Sequence, residues 1–323
     1  MNSQETESGF NVAFEHVSKR EAEWKAFRRG KVGSSDAYDS LFNPLSAWLV
    51  CTGRKVVEET DRMTIGKKLE PAIMECFKHF WNREHPETPV EIVDVDEVFQ
   101  HPKFDWWLFT PDYFARVGGE LYDLSIKNRG YWSGRADGDN VSDYAAAQSA
   151  HGMEAIPPLR GSIIFSLVGG DTPRTNVVGR NQAVTEALEQ AHGELVYHIK
   201  TDTPPDLATA SKEDLFTLFP NSFESEIELT EDALAIAIAY DKARAEEKAA
   251  ASEKERLGNL IRGMLGENKK GLLAGWSITL PRIEKSSFDS KAFAEAHPDL
   301  YAQFVRTSAY KQLKVQTLKG KKK

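Results

Sequence analysis

Glu70, Asp112, Asp123 and Lys127 stand out among the polar residues because each sits at the edge of an apolar element. Glu70 lies in the first turns of an amphipathic helical pattern, and Asp112 follows a short apolar run and a proline. The stretch Leu121-Tyr122-Asp123-Leu124-Ser125-Ile126-Lys127 has apolar residues at 122, 124 and 126. Strand alternation therefore puts Asp123, Ser125 and Lys127 together on the opposite face. Gln148 falls on the next helical segment. Such a set suits hydrolysis of a phosphodiester. Negative charge gathers on the phosphate oxygens in the transition state, hard divalent cations stabilise it, and carboxylates hold such cations. A lysine on the same strand face can orient or activate the attacking water. On spacing alone a blander account also fits, with loop carboxylates and a solvated strand-end lysine.

The elements that must carry these residues follow from hydrophobic periodicity. Helices are predicted over residues 15–27, 37–38, 45–52, 64–80, 141–154, 181–199 and 291–308. Pro71, inside the fourth of these, marks either its true start or a kink. Strands are predicted over 90–97, 107–110, 121–127, 162–168, 175–179, 276–280 and 314–317, with Val117-Gly118-Gly119 as a turn. Residues 229–265 are rich in Ala, Glu and Lys and read as one long helix or a helical hairpin. The organisation expected is a loose N-terminus (1–14), an α/β domain (15–224) and a helical extension with short strands and a basic tail (225–323).

Composition narrows the class. The chain has 323 residues, enough to bury a large core without disulfides. Two cysteines, Cys51 and Cys76, cannot build a disulfide framework or a four-ligand zinc site, and both read as buried thiols. No apolar run is long enough for a membrane span, the start is not a signal peptide, and a reducing cytoplasm is expected. The net charge of −8 argues against a uniformly basic coat for nucleic acid, yet a local basic groove can coexist with it. His79, His85, His151 and His192 make no ligand spacing and read as surface or satisfied side chains, with His151 a weak exception because it follows Gln148. Trp106-Trp107 reads as core, the 241–254 stretch as a solvated helix face, and Lys319–Lys323 as a disordered end or a nonspecific attraction for DNA.

Five short segments together resemble the YqaJ-type viral recombinase family, the phage lambda exonuclease group of the PD-(D/E)XK nuclease superfamily. They are Trp24 to Asp36 (WKAFRRGKVGSSD), Gly66 to Pro71 (GKKLEP), His101 to Asp112 (HPKFDWWLFTPD), Asp123 to Asn128 (DLSIKN) and Tyr144 to Met153 (YAAAQSAHGM). They run in the family's order, and the likeness covers residues 15 to about 220. The resemblance implies a PD-(D/E)XK restriction-endonuclease-like α/β core, with a mixed central sheet flanked by helices. It implies Glu70 and Asp112 as metal carboxylates, Lys127 as the catalytic lysine and Gln148 as support. Arg28, Ser34 and Ser35 would grip a 5′ phosphate. Arg28 offers a guanidinium fork, and the turn at Gly33-Ser34-Ser35 offers N–H groups and hydroxyls. Without the resemblance, Gly-Ser-Ser-Asp reads as an ordinary helix cap.

The expected activity is Mg²⁺-dependent digestion of linear double-stranded DNA from its ends, 5′ to 3′, with Mn²⁺ able to substitute. It would leave 3′ single strands for a single-strand annealing recombinase, within a homotrimeric ring, in a phage or prophage setting in the bacterial cytoplasm. One position departs from the pattern. Ser125 stands where the family carries the glutamate of Glu-x-Lys, and a neutral hydroxyl replaces a carboxylate poorly at a Mg²⁺ site. Three explanations remain open: natural inactivation, migration of the carboxylate to Asp123 on the same strand face, or a substitution introduced to trap a complex. The alternative functions are a noncatalytic DNA-end-binding protein and, on the acidic charge alone, an interaction protein without DNA.

Overall fold

The computed structural model describes residues 10–132, 140–307 and 310–316. The chain divides into two compact units, residues 1–222 and 223–323.

The first unit is built on a five-stranded mixed sheet in the order β2-β5-β6-β7-β8. Its strands are β2 (Val90–Asp94), β5 (Tyr113–Val117), β6 (Glu120–Arg129), β7 (Gly161–Val168) and β8 (Thr172–Val178). Only β6 and β7 run parallel. A parallel pair needs a crossover, and helix α5 (Asp143–Ala155) lies in that connection. The interior strand β7, Gly-Ser-Ile-Ile-Phe-Ser-Leu-Val, is almost wholly buried, as a strand covered on both faces must be. The β5–β6 turn holds Gly118 and Gly119 at φ 57° and 84°, a left-handed pair that suits a tight hairpin. A second sheet joins β1 (Val12–Glu15), β3 (Glu97–Gln100) and β4 (Leu108–Phe109) in the order β1-β3-β4.

Helices cover both faces of the main sheet. Helix α4 (Asp61–Glu84) lays Ile73, Met74 and Phe77 on Leu124, Ile126, Ile163 and Phe165. On the other face, Ala147, Ala150 and Ala155 of α5 join Phe114, Phe99, Trp107 and Phe109. Helices α1 (Glu21–Arg28), α2 (Ala37–Phe42) and α3 (Pro44–Cys51) precede α4, while α6 (Gln182–Thr201) and α7 (Lys212–Leu218) follow the sheet. Trp48, Leu45 and Leu49 of α3 pack with Leu195 and Val196 of α6.

Several predicted elements change. Residues 15–27 do not form one helix. Val12–Glu15 pairs antiparallel with β3, His16 takes a left-handed φ of 58°, and α1 begins only at Glu21. The apolar spacing there is met by folding back, since Phe14 packs on Trp24 and Phe27 across the bend. The chain is thus paired from Val12, within the stretch expected to be loose. Pro71 neither starts nor ends its helix; α4 begins ten residues earlier, capped by Thr60 accepting from the Met63 N–H. The 90–97 run splits into β2 and β3, which belong to different sheets.

In the second unit, α8 (Glu231–Leu265) is a single helix rather than a hairpin. It is followed by the two-stranded β9 (Lys270–Leu273) and β10 (Trp276–Thr279), then α9 (Ser290–Ala296) and α10 (Pro298–Phe304). The predicted last helix breaks at Pro298, which has no N–H to continue α9. Lys314–Gln316 form no strand, and Thr317 and the basic tail lie outside the described residues.

A candidate phosphodiester-binding cleft

The alternation expected in β6 is present. Leu124 and Ile126 point into the α4 layer, and Asp123, Ser125 and Lys127 open into a cleft on the other side. The cleft, of about 60 Å³, is completed by Ser34, Thr110, Asp112 and Gln148. Asp112 ends the loop between β4 and β5, and its position is set by the neighbouring strand. Its Oδ2 accepts from the Ile126 N–H at 2.9 Å and from the Ser125 hydroxyl at 3.5 Å. The Lys127 ammonium stands 3.9 Å from the same oxygen. Ser125 therefore serves Asp112 as a neutral donor at the place where a second carboxylate was expected.

Asp123 is buried beside this group. Its Oδ2 accepts from Ser162 on β7 at 2.7 Å, and Ser149 of α5 lies 3.0 Å from the Ser162 hydroxyl. Burial pushes the Asp123 carboxyl up to about 7; Ser162 opposes that rise, Asp112 adds to it and Lys127 opposes it. Glu70 does not line the cleft, but it feels both Asp112 and Lys127. Burial first, and Asp112 second, push its carboxyl up to about 7. The donors around the cleft are hard oxygens of the kind that Mg²⁺ or Mn²⁺ takes. Among the described residues, no three acidic, histidine or cysteine side chains converge closely enough to hold a metal ion as placed.

The Arg28 group adjoins the cleft through Ser34. Arg28 donates to Ser35 Oγ and, at 2.7 Å, to the buried Asp36, which also accepts from the Gly33 N–H at 2.9 Å. Burial works against the guanidinium charge, and Asp36 more than offsets it, so Arg28 stays above its ordinary value. A Cβ on Gly33 would stand 3.1 Å from the Arg28 guanidinium, which accounts for glycine here. Neither serine caps the short 3-10 turn at 34–36; the capping contact there is Asp36 accepting from the Gly33 N–H. Ser35 stays exposed.

Two features lie outside the residues singled out from the sequence. A trough of about 310 Å³ runs on from Lys127 past Arg62, Arg129, Ser142, Tyr144 and Asn176. Arg129 simply continues the Asp123-Ser125-Lys127 alternation, a signal the sequence does contain. The other feature is a buried chain of histidines. His151 Nε2 lies 2.8 Å from the Leu108 carbonyl, His151 Nδ1 lies 2.9 Å from His192 Nε2, and Ser40 Oγ lies 2.9 Å from His192 Nδ1. The carbonyl can only accept, so His151 carries its proton on Nε2. Neutral His151 then accepts from His192 Nε2–H, and His192 Nδ1 meets the Ser40 hydroxyl, which also lies 2.8 Å from the Ala37 carbonyl. Burial holds His151 down at about 4 and His192 well below its ordinary value. These are satisfied core histidines that tie α2, α5 and α6 to β4, the strand leading to Asp112. Trp107 is core as expected, donating from its indole to the His151 carbonyl. Cys51 is buried, and burial pushes its thiol up, while Cys76 is only partly buried.

Fold and cleft together define a mixed α/β domain whose five-stranded sheet, flanked by helices, carries a carboxylate- and lysine-lined cleft. Residues 23–169 match the model of the YqaJ-like viral recombinase domain. No curated protein matches the chain. It is similar to two solved structures of an alkaline exonuclease, LHK-Exo, from Laribacter hongkongensis, the second in complex with dAMP. Each has a TM-score of 0.45 and covers 56% of this chain and 93% of its own, at 19% and 18% identity. No helix among the described residues is long and apolar enough to cross a membrane.

Proposed function

We propose that the protein is a metal-dependent exonuclease that digests linear double-stranded DNA from its ends, with Asp123 taking the part of the missing glutamate. The observation that carries this reading is that Asp123 opens into one cleft with Asp112, Lys127 and Gln148. Asp112 and Asp123, with Glu70 beside them, would hold Mg²⁺, or Mn²⁺ in its place, which when bound neutralises charge developing on the phosphate oxygens. Lys127 orients the attacking water, whose oxygen bonds to phosphorus as the bond to the 3′ oxygen breaks. Gln148 donates its amide to the phosphate or to bound water. Ser34 faces the reacting phosphate, and Arg28 with Ser35 grips the terminal 5′ phosphate, which sets a 5′ to 3′ direction. The trough beyond Lys127 receives the strand.

The family likeness supports the wider setting of this reading. The 3′ strand left behind would pass to a single-strand annealing recombinase, the cores would assemble as a trimeric ring, and the work would be done on phage-type DNA in the bacterial cytoplasm. Ser125, donating its hydroxyl to Asp112, favours one second reading: a DNA-end-binding protein that no longer cuts.

The test is digestion of linear, 5′-phosphorylated duplex with Mg²⁺ or Mn²⁺, comparing the protein with Asp123→Ala and Ser125→Glu. Cutting that Asp123→Ala abolishes upholds the proposal. An inert protein that Ser125→Glu restores establishes the end-binding reading in its place.

A further inference from the structure

The 35-residue helix α8 is exposed along nearly its whole length, about 50 Å, although it carries large apolar side chains. One stripe has strict heptad spacing: Ala233, Ile236, Tyr240, Ala243, Glu247, Ala250, Lys254, Leu257, Ile261 and Met264. Steps of three and four alternate throughout, the pattern of a and d positions that seams two helices together. Ile236 is 71% exposed and Met264 84%, so the stripe is open to a partner.

The charges on the stripe select that partner. Glu247 and Lys254 are its only charged members, two positions apart along the stripe with Ala250 between them. An antiparallel second copy of the same helix sets Ile236 opposite Ile261, Tyr240 opposite Leu257, Ala233 opposite Met264, Ala243 opposite Lys254, and Glu247 opposite Ala250. Every layer then joins an a position to a d position. Each charged residue faces an alanine, which leaves it room, and Lys254 of one copy lies one layer from Glu247 of the other. A parallel pair would instead set Glu247 against Glu247 and Lys254 against Lys254 across the seam, and like charges there are costly. The glutamates flanking the seam are matched within their own helix, Glu246 by Lys242 and Glu253 by Arg256.

We infer that α8 is a self-association element that pairs antiparallel with α8 of a second copy of this chain. The pairing is independent of the nuclease reading and of any ring the first unit forms. The test is sedimentation of the full chain over a range of concentrations. The wild-type mass should be twice that of Leu257→Asp, whatever the stoichiometry of the core. Glu247→Lys and Lys254→Glu should each weaken association about ten-fold. The combined Glu247→Lys/Lys254→Glu variant should restore it, with far-UV circular dichroism unchanged throughout. Equal masses for wild type and Leu257→Asp overturn the inference, and so does a combined variant as weak as the single ones.

Discussion

Asp123 is the residue on which the chemistry turns, because it carries a carboxylate into the cleft from a fully buried position. Its proton affinity fixes two expectations. In the absence of divalent cation, a carboxyl raised from its ordinary value to about 7 binds more protons folded than unfolded. The stability it contributes is full below pH ~4 and is lost as pH rises to about 7. The Asp123→Asn variant should therefore be more stable than wild type at pH 8 in chelator, by roughly 2–4 kcal/mol, and unfold at a higher temperature in calorimetry. The same change should lower nuclease turnover at least ~100-fold. Glu70 rises for the same reason, so metal must displace protons from both carboxyls, and the rate at limiting metal should climb between pH 6 and 8. A flat pH–rate profile would show that neither group has to be ionised.

Between residues and fold stand the elements that aim Asp112. Helix α5 presses directly on β4 at Gly152, where a Cβ would meet the Phe109 ring at 2.5 Å. Gly152→Ala should cost about 1–3 kcal/mol in urea unfolding and displace the Thr110-Pro111-Asp112 turn. The histidine chain anchors the same strand from behind. His192→Ala would leave His151 Nδ1 buried without its donor, a loss of about 1–3 kcal/mol in the same measurement. Its pH dependence runs opposite to that of Asp123. Both histidines are neutral in the fold and titrate near 6.5 when unfolded, so their contribution is lost as pH falls below 6.5.

At the scale of the molecule, a net charge of −8 must be reconciled with a polyanionic substrate. The cleft's own cation, Lys127, stands against Asp112, and the positive charge that can meet DNA lies along the trough, at Arg62 and Arg129, with a bound divalent cation offsetting the cleft carboxylates. Binding of duplex ends should therefore weaken steeply with salt. Arg62→Ala should reduce the slope of log K against log salt by about one, measured by fluorescence anisotropy. An unchanged slope would place the DNA elsewhere on the surface.

What the sequence determined by itself is what local periodicity can carry. The face shared by Asp123, Ser125 and Lys127 follows from two-residue alternation, and the five family segments mark their positions without any contact between them. The α4 helix was legible from its apolar repeat, but whether Pro71 starts it or lies inside it was decided only by the fold, in which Ile73 and Phe77 are held by the sheet. Only the tertiary structure decided what depends on distant partners. Val12–Glu15 is a strand because β3, more than eighty residues on, supplies its ladder. The Ser162 hydroxyl that holds Asp123 arrives from the parallel neighbour β7. The two histidines that no spacing linked meet because α5 and α6 pack together. Hydrogen bonds and burial at long sequence separation have no period along the chain, so the chemistry of this cleft was visible in residue types and its electrostatics only in the fold.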